Sequence, residues 1–161
     1  MVFKLIPQRA FGVHANPDFK VMTENSIEVY MFSKDLRKQD NYILSTISRQ
    51  YVALAEYTTR DNKPAWKIWN GSNELGYLDI GKRGPYTFDL NGAGLHVSTS
   101  SNDFGFGVTP FTNDEGKTVA KLFFARNMMM KQWILELDDK ELEIPCLLLA
   151  FMLIKAIPVQ A

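Results

Sequence analysis

The sequence predicts a mainly β protein, a closed antiparallel β-barrel wrapped around a central hydrophobic C-terminal helix. Three observations predict it. The segment Ile144 to Ile157 carries one charge, Lys155, and no polar face. A helix that is apolar all round must be buried, in protein or in lipid. The run is too short for a bilayer, which takes about 20 residues. The rest of the chain has a period of two, with turn signals about every 8 to 12 residues, the spacing of a sandwich or barrel.

The strand candidates follow in order. Phe19 to Met22, Ile27 to Phe32 and Tyr42 to Ile47 are short and rich in β-branched and aromatic residues. Arg49 to Thr59 is longer. Ala65 to Asn70 and Glu74 to Ile80 flank Asn70-Gly71, a strong hairpin signal. Tyr86 to Leu90, Leu95 to Thr99, Phe104 to Val108, Thr118 to Arg126 and Met130 to Leu137 complete the series. Turns are expected at Asn16-Pro17, Asp61-Asn62, 82–85, Asn91-Gly92, Ser101-Asn102 and 113–116. A helical turn is expected within Arg37 to Tyr42. The strands fill 1–137 and the core helix runs from about 144 to 157, in a single domain spanning 1–161. Pro145 suits the first turn of that helix and Pro158 marks its end. Asp138, Asp139, Glu141 and Glu143 precede it, where they favour the helix dipole.

Composition removes several function classes. The 161 residues hold 18 Lys plus Arg and 18 Asp plus Glu, a net charge of zero. Binding to a nucleic-acid backbone calls for a basic excess, so no nucleic-acid partner is expected. Cys146, the single cysteine, has no internal disulfide partner and sits among apolar neighbours, as an inert core thiol does. The N-terminus lacks the apolar core of a signal peptide. A cytoplasmic location follows, with peripheral attachment to a membrane as its extension.

Candidate chemistry is sparse. His14 and His96 have no neighbours at zinc spacing, so no metal site is expected. Asp103-Phe-Gly105 matches the metal-binding tripeptide of kinases, without the nucleotide or catalytic loops that would give it meaning. The acidic run before the helix reads as a solvated loop. No catalytic constellation and no cofactor site emerge. The basic groups are Lys34, Arg37 and Lys38, then Lys82-Arg83, then Arg126 with Lys131. Lys82 and Arg83 lie between Gly81 and Gly84, where backbone N–H groups and two cations could meet one phosphate. They are the candidate lipid-headgroup residues. Asn127 to Met130 reads as core filling or the start of a strand.

Leu147 to Ile154 closing a β-rich chain, and the hairpin from Trp66 to Ile80, resemble the tubby, LURP-one and phospholipid-scramblase superfamily. The resemblance implies a twelve-stranded barrel threaded by its C-terminal helix. It also implies a non-enzymatic module that binds phospholipid, phosphoinositide above all, at a membrane surface, or that serves as an adaptor for a partner protein. The calcium-binding spacing of the scramblases is absent from Asp138 to Glu143, so no calcium site is carried over. Two alternatives stand beside this one: a scramblase-like or tail-anchored membrane protein, and a barrel carrying an apolar ligand inside.

Overall fold

The computed structural model describes residues 1–10, 13–35, 37, 38, 40–80, 86–99, 107–127 and 130–156. The chain forms twelve strands: β1 (Val2–Ala10), β2 (Val13–Thr23), β3 (Glu28–Lys34), β4 (Tyr42–Thr46), β5 (Tyr51–Arg60), β6 (Lys63–Asn70), β7 (Asn73–Asp79), β8 (Tyr86–Leu90), β9 (Leu95–Thr99), β10 (Val108–Thr112), β11 (Thr118–Asn127) and β12 (Met130–Leu137). One α-helix, α1 (Glu143–Ala156), follows them. All twelve strands belong to one antiparallel sheet in the order β7-β6-β5-β4-β3-β2-β1-β12-β11-β10-β9-β8. The sheet curls into a nearly closed barrel around α1.

The alternation in the strands decides which side faces the helix. Leu5, Phe32, Leu44, Ile68, Leu122 and Leu135 point inward and are fully buried. Across β5 the inward positions are Ala53 and Ala55. Such small side chains let the helix lie close to that strand, which with β12 is among its main neighbours. Eight consecutive helical residues, Cys146 to Leu153, have no exposed surface. A run of eight covers more than two turns, so every face of the helix is enclosed. Phe151 stacks on Phe32 at 4.1 Å between centroids, and Phe32 stacks in turn on Tyr42 at 5.4 Å. Burying each large apolar side chain is worth about 1.5–3 kcal/mol.

The start of α1 is fixed by polar contacts. Asp139 Oδ1 accepts the Glu141 N–H at 2.9 Å and caps a short 3-10 turn, Lys140–Leu142, that leads into the helix. Tyr30 donates its hydroxyl to Glu143 Oε2 at 2.5 Å. Burial and the neighbouring Glu143 carboxylate push the Tyr30 hydroxyl pKa up to about 12. At the far end Lys155 pairs with Asp18 at 3.3 Å and lies over the rings of Tyr42 and Phe19. This explains how one charge is tolerated in an otherwise apolar helix: its stem stays in the barrel and its head reaches a carboxylate at the mouth.

Closure occurs where β7 meets the end of β8. Gly92, in the 3-10 turn Asn91–Ala93, passes so close to β7 that a Cβ there would stand 2.6 Å from the Leu75 Cα. Only glycine fits that approach. The turns obey similar rules. Asp61 and Asn62 both have positive φ, as a two-residue type I′ hairpin requires. Gly71 has φ 61° in the two-residue connection between paired Asn70 and Asn73, while Asn70 itself is the last residue of β6.

Four expectations need correction. β1 was absent from the strand candidates, because Pro7 interrupts a short apolar run; in the barrel Pro7 pairs with Phe19 beside a register shift. Asn16-Pro17 lies within β2 rather than in a turn. The strand expected at Phe104 to Val108 is β10, which begins at Val108; residues 104–106 lie outside the described residues. Pro110 hides that strand from a pattern reading. It is tolerated because β10 pairs with β9 only through Thr112 and His96, so one edge of Pro110 needs no donor. Finally, Arg37, Lys38 and Asp40 form bends and a turn, not a helical turn. Pro158 lies outside the described residues.

Because α1 fills the barrel, Leu149→Arg or Phe151→Asp should bury an unpaired charge and cost well over about 4 kcal/mol. Expression trials with circular dichroism check this; soluble, cooperatively melting protein from both variants would contradict the enclosed helix. Deleting 144–161 should leave an unfolded or aggregated chain.

Candidate functional site

Strand alternation sorts the connections between two ends of the barrel. Strands β1, β3, β5, β7, β9 and β11 end where α1 terminates; the even-numbered strands end where α1 begins. The tyrosine contact of Glu143 and the Asp18 contact of Lys155 fix the direction of the helix.

Basic residues gather at the terminal end of α1. The β3–β4 connection carries exposed Lys34, Arg37 and Lys38. It is tied down on both sides: Asp35 Oδ1 accepts the Arg37 N–H at 2.9 Å, the buried Asn41 Oδ1 accepts the Tyr57 N–H at 2.7 Å, and Trp66 Nε1 donates to the Asp40 carbonyl at 3.2 Å. Arg60 and Lys63 flank the adjacent β5–β6 turn, and Arg60 lies over the Tyr77 ring at 5.1 Å. Down the outer face of the same strands Lys67 sits over Trp69 at 4.7 Å and Tyr77 at 5.8 Å, and pairs with Glu74 at 3.6 Å. Cations held against aromatic faces are attracted by the ring quadrupole. The chain leaves β7 at Ile80, whose N–H donates to the Pro64 carbonyl at 3.1 Å, beside Lys63. Lys82 and Arg83, two and three residues beyond Ile80, lie outside the described residues. Lys131 is exposed at the start of β12, while the side chain of Arg126 is outside what is described.

At the other end carboxylates predominate: Glu24, Asp114, Glu115, Asp138, Asp139 and Glu141 are exposed there, beside the exposed cations Arg49, Lys117 and Lys140. The four carboxylates expected to favour the helix dipole do stand at the start of α1, but they do not converge. Asp139 caps the 3-10 turn and Glu143 takes the Tyr30 hydroxyl.

His96 is the one clustered titratable group on this side. Its Nδ1 lies 2.8 Å from Asp89 Oδ1 and its Nε2 lies 2.6 Å from Asp114 Oδ1. Both nitrogens face carboxylates, so the doubly protonated ring satisfies both contacts. The hydrogen bond to Asp114, then that to Asp89, raises its pKa above the ordinary histidine value, against a small opposing effect of burial. The imidazole stands between the two carboxylates, so no single cation can take both together with a ring nitrogen. Nor is either nitrogen left to accept a proton from a hydroxyl, as a general base must. Among the described residues no group of three or more His, Cys, Asp or Glu could hold a metal ion.

The remaining candidates are quickly placed. Cys146 is fully buried, and burial pushes its thiol up to about 12. A thiol so rarely ionised is a packing element, not a nucleophile. The side chain of His14, and Asp103 to Gly105, lie outside the described residues, as do Met128 and Met129. Among the described residues no helix is long and apolar enough to cross a membrane. No family model, curated protein or solved structure matches the chain.

Arg60, Lys63 and Lys67 do not stand out as a basic cluster in the sequence; the signal for the first two is the hairpin around Asp61-Asn62, which places them at the end shared with Lys34, Arg37 and Lys38.

The His96 contacts set a pH dependence. The folded pKa exceeds the unfolded value of about 6.5, so the stabilisation is complete below that value and is lost as pH rises through the folded pKa. An NMR titration of His96 should give a midpoint above about 6.5. Relative to His96→Gln, the wild-type melting temperature should fall across the same rise in pH. A midpoint at or below the ordinary value would refute the clamp.

Proposed function

We propose that this chain is a non-enzymatic binding module that docks on an anionic phospholipid surface, of the phosphoinositide kind, through the end of the barrel at which α1 terminates. The observation that carries the reading is the separation of charge in a chain whose net charge is zero. Exposed Lys34, Arg37, Lys38, Arg60 and Lys63 outnumber the exposed Asp61 and Asp79 at one end, whereas exposed carboxylates outnumber Arg49, Lys117 and Lys140 at the other. Lys82 and Arg83 belong to the connection that follows β7, and they are the proposed headgroup contacts. Phosphate is well matched by several cations presented together with backbone donors.

The resemblance to the tubby, LURP-one and scramblase superfamily supports the same reading, since a barrel filled by its last helix leaves recognition to the outside. The carrier alternative loses support because Cys146 to Leu153 occupy the interior. A lipid-embedded tail finds no support in a helix of 14 residues enclosed by strands. Acting as an adaptor for a partner protein is compatible with the same surface.

Co-sedimentation with liposomes over a salt series tests the proposal. Phosphoinositide-containing vesicles should pull down the protein and neutral phosphatidylcholine vesicles should not, with binding weakening as salt rises. Lys82→Ala with Arg83→Ala should weaken binding roughly thirtyfold, at about 1 kcal/mol per cation near an anionic surface, while the melting temperature stays unchanged. Equal binding to neutral vesicles, or none to either, refutes the lipid reading.

A further inference from the structure

The hydrogen-bonded ladder of the barrel wall has one weak joint among the described residues. There β10 pairs with β9 only through Thr112 and His96, whereas every other pair of ladder neighbours is joined over a longer stretch. The Thr112 hydroxyl adds a contact at the same place, donating to the His96 carbonyl at 3.3 Å. The joint therefore coincides with the imidazole that bridges three elements. His96 stands on β9, Asp89 lies directly opposite it on β8, and Asp114 belongs to the turn 113–116 that follows β10.

The two carboxylates differ in their freedom to move. β8 and β9 pair along their whole length, so Asp89 cannot retreat from the ring without parting those strands. Asp114 sits on a turn, with its side chain 74% exposed. That turn moves as one piece. Asn113 Oδ1 accepts the Glu115 and Lys117 N–H groups, each at 3.0 Å, and the Asn113 N–H donates to the Lys117 carbonyl at 2.9 Å. Thr112 is the preceding residue, so a shift of Asp114 passes directly to the joint.

The charge on the ring decides whether Asp114 stays. The imidazolium donates from both nitrogens, but the neutral ring has one N–H. One carboxylate oxygen then faces a lone pair at less than 3 Å. Asp114 is the one that can withdraw. Among the described residues the other charged groups on the elements packed against the ring are Glu115 and Lys117 of the turn, and neither pairs with it. β10 and the 3-10 turn Asn91–Ala93 carry no charge.

We infer that the β9–β10 joint is a pH-sensitive seam in the barrel wall, closed while His96 is doubly protonated and loosened by withdrawal of the 113–116 turn once it is not. Closure is complete below the ordinary histidine value of about 6.5 and is lost as pH rises through the raised folded value. The inference goes beyond lipid docking and does not depend on it. It also differs from a fall in overall stability, because only the strands beside the joint part.

Native-state amide hydrogen exchange of the full chain, normalised to the intrinsic rate of each amide, tests this. The amides of Leu95–Val97 and Phe111–Asn113 should be less protected than those of the β5–β6 ladder. Unlike those, they should be insensitive to low guanidinium, as a sub-global opening is. Their protection should fall roughly twofold to fivefold as pH rises through the His96 midpoint, the range set by an exposed ion pair. His96→Gln should abolish that step, and Asp114→Ala should leave the joint loosened at every pH. Neither side chain is buried, so both variants should fold. Protection that stays constant through the titration would overturn the inference. So would a step that survives in His96→Gln, or joint amides that follow guanidinium as closely as the β5–β6 amides do.

Discussion

Everything in this protein depends on enclosing the whole circumference of α1. A helix with one apolar stripe needs a single surface to lie on, but Cys146 to Leu153 are apolar in every direction and need a wall on all sides. A single sheet meets that demand only by curling on itself. The inward positions of the strands are graded to suit: small at Ala53 and Ala55 where the helix comes close, large at Phe32 and Leu44 where there is room. Gly92 allows the last gap, against Leu75, to close. Curling the sheet also brings its two edge strands, β7 and β8, close to each other, which covers edges that would otherwise invite aggregation.

The same packing makes the molecule two-ended. With α1 along the barrel and the strands antiparallel, each connection belongs either to the start of the helix or to its terminus. The helix carries a partial positive charge at its first turn and a partial negative charge at its last. Carboxylates at Asp138, Asp139, Glu141 and Glu143 complement the first, and Lys155 with the basic connections complements the second. Charge separation therefore has a stabilising role in the fold before any partner is considered. What that role does not explain is the cations placed on Tyr77 and Trp69 away from the helix axis.

With the interior closed to ligands, the outer surface is what remains for recognition. The turns at both ends are pinned, by Asn41 and Trp66 at one and by Thr23, Thr46 and Tyr51 at the other. Side chains on such turns lose little further freedom on binding.

Much of the fold is legible in the chain because its signals are local. The apolar run of α1, the alternation of β3 to β9, and β11 and β12, and the Asp61-Asn62 and Asn70-Gly71 hairpins each follow from residues a few positions apart. Proline obscures the rest. Asn16-Pro17 reads as a turn yet lies within β2, Pro7 and Pro110 lie within strands the pattern does not mark, and Pro110 shows why: only the tertiary arrangement leaves one edge of β10 almost without a partner strand. The candidate sites were legible only as separate charges. Lys82-Arg83 and the Lys34 group stand out as basic clusters, but that Arg60 and Lys63 share the end of the Lys34 group is a matter of topology. Asp89, His96 and Asp114 are separated by up to 25 positions and meet only through the pairing of β8 with β9 and the turn after β10. The sequence by itself determined that a helix must be buried and that strands must bury it, because hydrophobic periodicity is a property of neighbours along the chain. Which charges share an end, and which apolar side chains are left in water, only the tertiary structure decided, because those depend on where strands far apart in sequence begin and stop.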